Sequence, residues 1–161
     1  MADSTVCGFV LNQATCLPVT AVIPAADVPG VCFPIDSMRG ITFVSAHPKS
    51  PMRGCREWSA GIIGLGELAT TQKQGDITVV LGDLNSGTDH PSFRKLLNAG
   101  FKDAALCEAK GRHATFPSWL PWPRIILDHV LFTKGLDASD VSSFCVEGSD
   151  HLALAATLTL K

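Results

Sequence analysis

Ile77-Thr78-Val79-Val80-Leu81-Gly82-Asp83-Leu84-Asn85 is a nearly continuous apolar run that stops at polar residues. Such a run predicts a strand buried on both faces, at the centre of a sandwich or of an α/β sheet. Asp83 and Asn85 lie two apart, so continued strand geometry turns both to one face while Leu84 packs inward. A carboxylate so placed can hold a metal ion or an attacking water, and a neighbouring amide can donate to a phosphate oxygen. Gly82 to Gly87 is also the composition of an Asx turn after a strand.

Working outward, Thr5–Leu11, Leu17–Ile23 and Val31–Ile35 are short apolar or β-branched runs bounded by Pro, Gly and Asp, and they read as strands. Asp36-Ser37-Met38-Arg39-Gly40 is turn chemistry that joins Val31–Ile35 to a further strand, Ile41–Ala46, as a hairpin. From Arg53 to Gln72, Trp58, Ile62, Leu65 and Leu68 mark one helical face, weakened by Gly61, Gly64 and Gly66. Pro91–Asn98 reads as a short helix with Gly100 just past its end. Ile125–Phe132, Ser143–Val146 and Leu152–Leu160 read as strands, the last one alternating. The pattern is that of one mixed α/β layered domain.

Composition bounds the rest. A chain of 161 residues with 46% hydrophobic and 17% charged residues can bury a core and is too apolar to be disordered. Thirteen basic against fifteen acidic residues leave a net charge of −2, so no overall basic field draws it to nucleic acid or to an anionic bilayer. The stretch between Asp3 and Asp27 has no formal charge, but Asn12, Gln13 and Pro18 break it, and it is not a membrane span. The first basic residue is Arg39, too late for a secretory leader, so a cytoplasmic location is the default expectation. The six cysteines show no C-x-x-C or zinc-ligand spacing and are expected to be scattered buried thiols.

Three further sites carry chemistry. Leu127-Asp128-His129 lies on a strand, so one of Asp128 and His129 faces the site while the other packs, and Asp128 is the expected site residue. Ser149-Asp150-His151 supplies a carboxylate and an imidazole that act together only at a loop or bulge, or else it is a plain polar loop. His47 closes Ile41–Ala46, while His90 and His113 read as structural or solvated.

Val44-Ser45-Ala46-His47-Pro48, Val80-Leu81-Gly82-Asp83-Leu84-Asn85-Ser86, Leu127-Asp128-His129-Val130-Leu131 and Gly148-Ser149-Asp150-His151-Leu152 follow one another along the chain. Ala99-Gly100-Phe101-Lys102-Asp103-Ala104 and Thr115-Phe116-Pro117 stand between them. In that order the chain resembles the endonuclease/exonuclease/phosphatase family, of deoxyribonuclease-I-like fold, from about Leu17 onward. The resemblance implies a two-layer mixed β-sandwich flanked by helices. It also implies a phosphoester hydrolase, nuclease or phosphatase, dependent on Mg²⁺ or Mn²⁺. In that reading His47 donates to a phosphate oxygen, Asp83 holds the attacking water and Asn85 contacts the phosphate. Asp128 orients a neighbour, His151 stabilises the transition state or acts as base, and Asp83, Asn85 and Asp150 form the metal set. The substrate is a nucleic acid or a small phosphodiester; the net charge speaks against tight DNA binding and leaves a small phosphoester or a lipid headgroup open.

One departure shapes the expectation. The family's early Asn and the strand-end Glu that serves as principal metal ligand have no counterpart upstream of Leu17, since Asn12 and Glu57, Glu67, Glu108 and Glu147 stand elsewhere. Residues 1–161 therefore read as a single domain lacking its N-terminal part, with weakened metal binding and an exposed sheet edge through which copies could self-associate. The alternative function is an inert remnant that pairs with another chain. An unrelated small-molecule binder is a third reading, which no P-loop or G-x-G-x-x-G motif supports.

Overall fold

The computed structural model describes residues 17–23 and 26–161. In chain order its elements are β1 (Leu17–Ile23), β2 (Ala26–Pro34), β3 (Gly40–Ser45), β4 (His47–Pro48) and a 3₁₀ turn (Pro51–Arg53), then α1 (Cys55–Gly64), α2 (Glu67–Thr70) and β5 (Ile77–Asp83). They continue with α3 (Pro91–Asn98), β6 (Lys102–Asp103), α4 (Ala104–Glu108), β7 (Asp128–Phe132), β8 (Leu136–Cys145) and β9 (Leu152–Leu160). The large sheet runs β1-β2-β3-β5-β7-β6, with β4 beside β2, and β8-β9 form a separate hairpin. Among the described residues only β3 and β5 pair in parallel, and α1 and α2 make the crossover that a parallel pair requires.

Strand β5 is apolar over most of its length because both its faces are covered. Val80 joins a cluster with Trp58, Ile62 and Leu65 from the α1 region and with Phe93 and Leu96 of α3. Ile77 and Val79 join the other cluster, with Val130, Phe132, Leu136 and Val141, against which Leu154, Ala156 and Leu158 of β9 pack. The result is a helix layer, the large sheet and the β8-β9 hairpin, the mixed α/β architecture expected. Among the described residues no helix is long and apolar enough to cross a membrane.

Several expectations need correction. The 53–72 helix is interrupted after Gly64, where a Cβ on Gly66 would lie 3.0 Å from the Ala99 Cβ; the glycine lets the crossover approach the end of α3. The strand expected at 143–146 is the end of the ten-residue β8, whose polar outer face hid it. Within β8 the register shifts between Ser139 and Ser142, and the Glu108 carboxylate fills the irregularity by accepting from the Asp140 and Val141 N–H groups at 2.9 and 3.1 Å. Strand β7 begins only at Asp128, since Ile125 makes an isolated bridge with Phe116. Of the cysteines described, Cys55, Cys107 and Cys145 are exposed and Cys32 is half-buried, so the buried-thiol expectation fails for these four. Thr5–Leu11 lies outside the described residues.

Candidate active site at the strand ends

The site forms where β3, β5 and β7 meet the start of β9. The last residue of β5, Asp83, pairs directly with the first residue of β7, Asp128, so both carboxylates stand on one face of the sheet. Gly82 makes this junction possible. Its φ is +144°, and a Cβ there would sit 2.1 Å from the Ala46 carbonyl oxygen, while the Ala46 N–H donates to Leu81 at 2.9 Å. The end of β3 is thereby drawn against β5, and His47 follows at once.

Beyond Asp83 the chain makes the Asx turn its composition allows. The Asn85 N–H donates to Asp83 Oδ1 at 2.8 Å, Leu84 is fully buried, and Asn85 takes a φ of 49°, a region Asn tolerates better than most residues. The turn reading and the site reading are therefore one object, because the turn fixes the carboxylate. Asn85 is itself tied down: its Nδ2 donates to the Pro48 carbonyl at 3.3 Å, and its carbonyl accepts from Trp58 Nε1 at 3.1 Å.

Around Asp83 stand two imidazoles, with Nε2 of His47 and of His151 lying 3.6 and 3.8 Å from Asp83 Oδ2. His151 Nδ1 donates to Asp128 Oδ2 at 2.8 Å, and the buried Thr115 hydroxyl donates to the same oxygen at 2.5 Å. Burial raises the Asp83 pKa above the usual carboxylate value; the Asn85 N–H bond opposes this, the Asp128 charge reinforces it, and the two histidines pull it down. The His151 pKa is raised, first by its bond to Asp128, which outweighs desolvation, and then by the charges of Asp128, Asp83 and Asp150. Ligand atoms of Asp83, Asp128 and His151 all lie within 4.8 Å of one another, a spacing that can hold a metal ion.

The four strand-end motifs thus bring His47, Asp83, Asp128 and His151 together. Asp150 is exposed and outside that group, and its carbonyl accepts from the Ser118 N–H at 2.7 Å. His129 is buried: its Nε2 donates to the Ser86 carbonyl at 2.7 Å, and its Nδ1 lies 2.6 Å from Asp103 Oδ2. His90 Nδ1 accepts from the Gly87 N–H at 3.2 Å, and its ring meets Trp58 edge-on. Sequence reasoning missed the roles of Thr115 and Asp103; both fall in quoted motifs, but their partners are 13 and 26 residues away.

Solved structures of similar fold include humanized D. rerio TDP2, with a TM-score of 0.68 at 14% identity over 89% of this chain and 66% of the other. The Bacteroides thetaiotaomicron mannosyl-6-phosphatase Bt3783 gives 0.61 at 15% over 84% and 57%, and the human Nocturnin catalytic domain gives 0.62 at 20% over 91% and 60%. The chain thus spans less than two thirds of the length of these structures, and at such identities the likeness speaks for the fold. No curated protein sequence matches it. The sequence model of the Endonuclease/Exonuclease/phosphatase family matches residues 7–151, a stretch that takes in His47, Asp83, Asp128 and His151, and the chain belongs to that family.

Proposed function

We propose that the chain carries the strand-end half of a divalent-metal-dependent phosphoester hydrolase site, acting on a nucleic acid or a small phosphodiester. The observation that carries this reading is the convergence of two carboxylates and two imidazoles on the Asp83 Oδ2 position at the rim of a rigid sheet. Burial raises the Asp83 pKa and the facing Asp128 charge adds to it, and a divalent cation relieves both the desolvation and the repulsion. The donor set therefore fits Mg²⁺ or Mn²⁺, which take hard oxygen ligands and often only one or two protein carboxylates.

Asp83 belongs both to the metal set the resemblance implies, with Asn85 and Asp150, and to the group that converges, so metal binding turns on it first. A bound cation would supply charge neutralisation for the developing oxyanion. The residues themselves do the rest. Asp83 orients the attacking water, and the burial that raises its pKa makes its carboxylate a better acceptor for the water's proton. His151, held by Asp128 through Nδ1, keeps Nε2 toward the substrate, and its raised pKa favours the cation that stabilises a pentacovalent phosphorane. His47 donates to a second phosphoryl oxygen from the other side of Asp83.

Hydrolysis of bis-p-nitrophenyl phosphate and of plasmid DNA with Mg²⁺ or Mn²⁺ tests the reading, with Asp83→Ala and His151→Ala as controls. Metal-dependent turnover lost in both variants is the expected result; no turnover from a folded chain overturns it. One observation favours a second reading, an inert partial domain that pairs with another chain through a sheet edge. Among the described residues no glutamate joins the cluster, and the chain spans only 57–66% of three neighbours' lengths. Under this reading sedimentation shows self-association and turnover is absent.

A further inference from the structure

The segment between His113 and Asp128 holds an apolar patch that the hydrolase site does not use. Residues 114–127 carry one formal charge, Arg124, and include Pro117-Ser118-Trp119-Leu120-Pro121-Trp122-Pro123. Trp119 is 65% exposed, Trp122 82% and Leu120 37%. Two of the chain's three tryptophans therefore stand in water on one loop, whereas Trp58 is buried beneath the site. Scattered exposed apolar residues are ordinary, but two exposed tryptophans and a leucine within four residues concentrate apolar surface on one loop.

The loop is a built platform. Arg124 closes its base by donating from Nε and Nη2 to the Pro117 and Ser118 carbonyls at 3.2 and 3.1 Å. The Ser118 N–H and hydroxyl donate to the Asp150 and Ser149 carbonyls at 2.7 and 2.8 Å, stitching the loop to the residues just before His151. The Phe116 ring lies 4.8 Å from the His151 ring and 5.9 Å from that of Trp119. The aromatic surface is thus fixed at the rim of the site, one ring away from its histidine.

Two chemistries use such a surface: stacked bases of a single strand, and the headgroup–acyl boundary of a bilayer. Base-stacking platforms work with a cationic groove that tracks the phosphates. Here residues 117–123 carry no Lys or Arg, Arg124 turns Nε and Nη2 to carbonyls at the base of the loop, and Lys110 is paired with Glu108 at 3.0 Å. Uncharged Trp-Leu-Pro-Trp matches the amphipathic rings that settle at membrane interfaces. We propose that the 119–122 loop is an interfacial anchor that seats the rim of the site on a lipid bilayer, presenting a lipid headgroup phosphoester as substrate. The headgroup clause rests on the hydrolase reading; the docking does not.

Intrinsic tryptophan emission of the full chain tests this, because Trp58 is already buried. Titration with phosphatidylcholine vesicles is expected to shift the emission to the blue, with co-sedimentation that persists in about 0.5 M NaCl, since apolar burial is not screened. The Trp119→Ala/Trp122→Ala double variant should lose at least about tenfold in vesicle partitioning, with an unchanged circular dichroism spectrum and unchanged turnover of soluble bis-p-nitrophenyl phosphate. Asp83→Ala should bind vesicles as the parent does. Vesicle binding without any hydrolysis supports the anchor and sinks the hydrolase reading. Emission unmoved by lipid, a response to oligodeoxythymidine instead of vesicles, or burial of the tryptophans by lipid-free self-association overturns the anchor.

Discussion

Asp128 and His129 are neighbours on one strand, and each belongs to an aspartate–histidine pair facing the opposite way. Asp128–His151 is bonded at 2.8 Å with side chains 18% and 20% exposed; Asp103–His129 is bonded at 2.6 Å with side chains 3% and 4% exposed. The chemical groups are the same and the second ring nitrogen differs. His129 Nε2 is saturated by the Ser86 carbonyl, and the ring is covered by Phe93 at 4.3 Å, so this pair can only hold structure. His151 Nε2 lies 3.8 Å from Asp83, too far for a hydrogen bond, and stays available to a substrate. What the far nitrogen meets thus decides whether an Asp–His pair is confined to holding structure or keeps a donor free.

The contrast can be broken first by deleting each imidazole. His151→Ala should cut metal-dependent turnover by roughly 10²–10⁴-fold, the usual yield of a positioned proton-transfer group, while the free energy of urea unfolding falls by no more than about 1 kcal/mol. His129→Ala should do the reverse and destabilise by about 3–5 kcal/mol in urea unfolding, because it leaves the Asp103 carboxylate buried without its partner. Equal stability losses in the two variants would dissolve the distinction.

Thr115→Val sharpens the comparison at smaller cost. It removes the hydroxyl on Asp128 Oδ2 at nearly constant volume, and about 1–3 kcal/mol of stability should go with it. The pH dependence of turnover should move as well, since Asp128 then holds His151 with one partner fewer.

The smallest effect is a pH slope in metal-free buffer. The folded His151 pKa lies above its ordinary 6.5, so the folded chain binds more protons than the unfolded one in that window. This stabilisation is complete below 6.5 and is lost as pH rises through the folded value. Asp83 acts in the same sense from its ordinary 3.8 upward, because burial also raises its pKa. Thermal midpoints should therefore fall with rising pH above 6.5. His151→Gln should flatten the upper part of the slope, and millimolar Mg²⁺ should reduce it by competing with protons for the same atoms.

Much of this architecture is legible along the chain, and the exceptions have physical reasons. Strand β1 and helix α3 fall where their patterns place them, and β9 follows its alternation, because local sequence decides these elements. Strand β8 escaped because Asp137, Asp140 and Ser142 are exposed and polar while only Leu136 and Val141 are buried. The turn and site readings of Asp83-Leu84-Asn85 competed in sequence and coincide in space. The Asp103–His129 pair and the Thr115 bond join residues from separate elements, information that lies in topology rather than in any motif.

Because Asp83 and Asp128 meet as cross-strand partners, one unit of slippage between β5 and β7 would carry Asp128 into the core and His129 onto the rim. Such a misthreaded sheet would still satisfy most of its ladder and hide almost as much hydrocarbon. It would, however, strand the Asp103 carboxylate in the interior and leave the Ser86 carbonyl without its donor. The buried pair therefore serves as a checksum on strand alignment, rejecting during folding the neighbouring register in which the chain would look native and hold no working site.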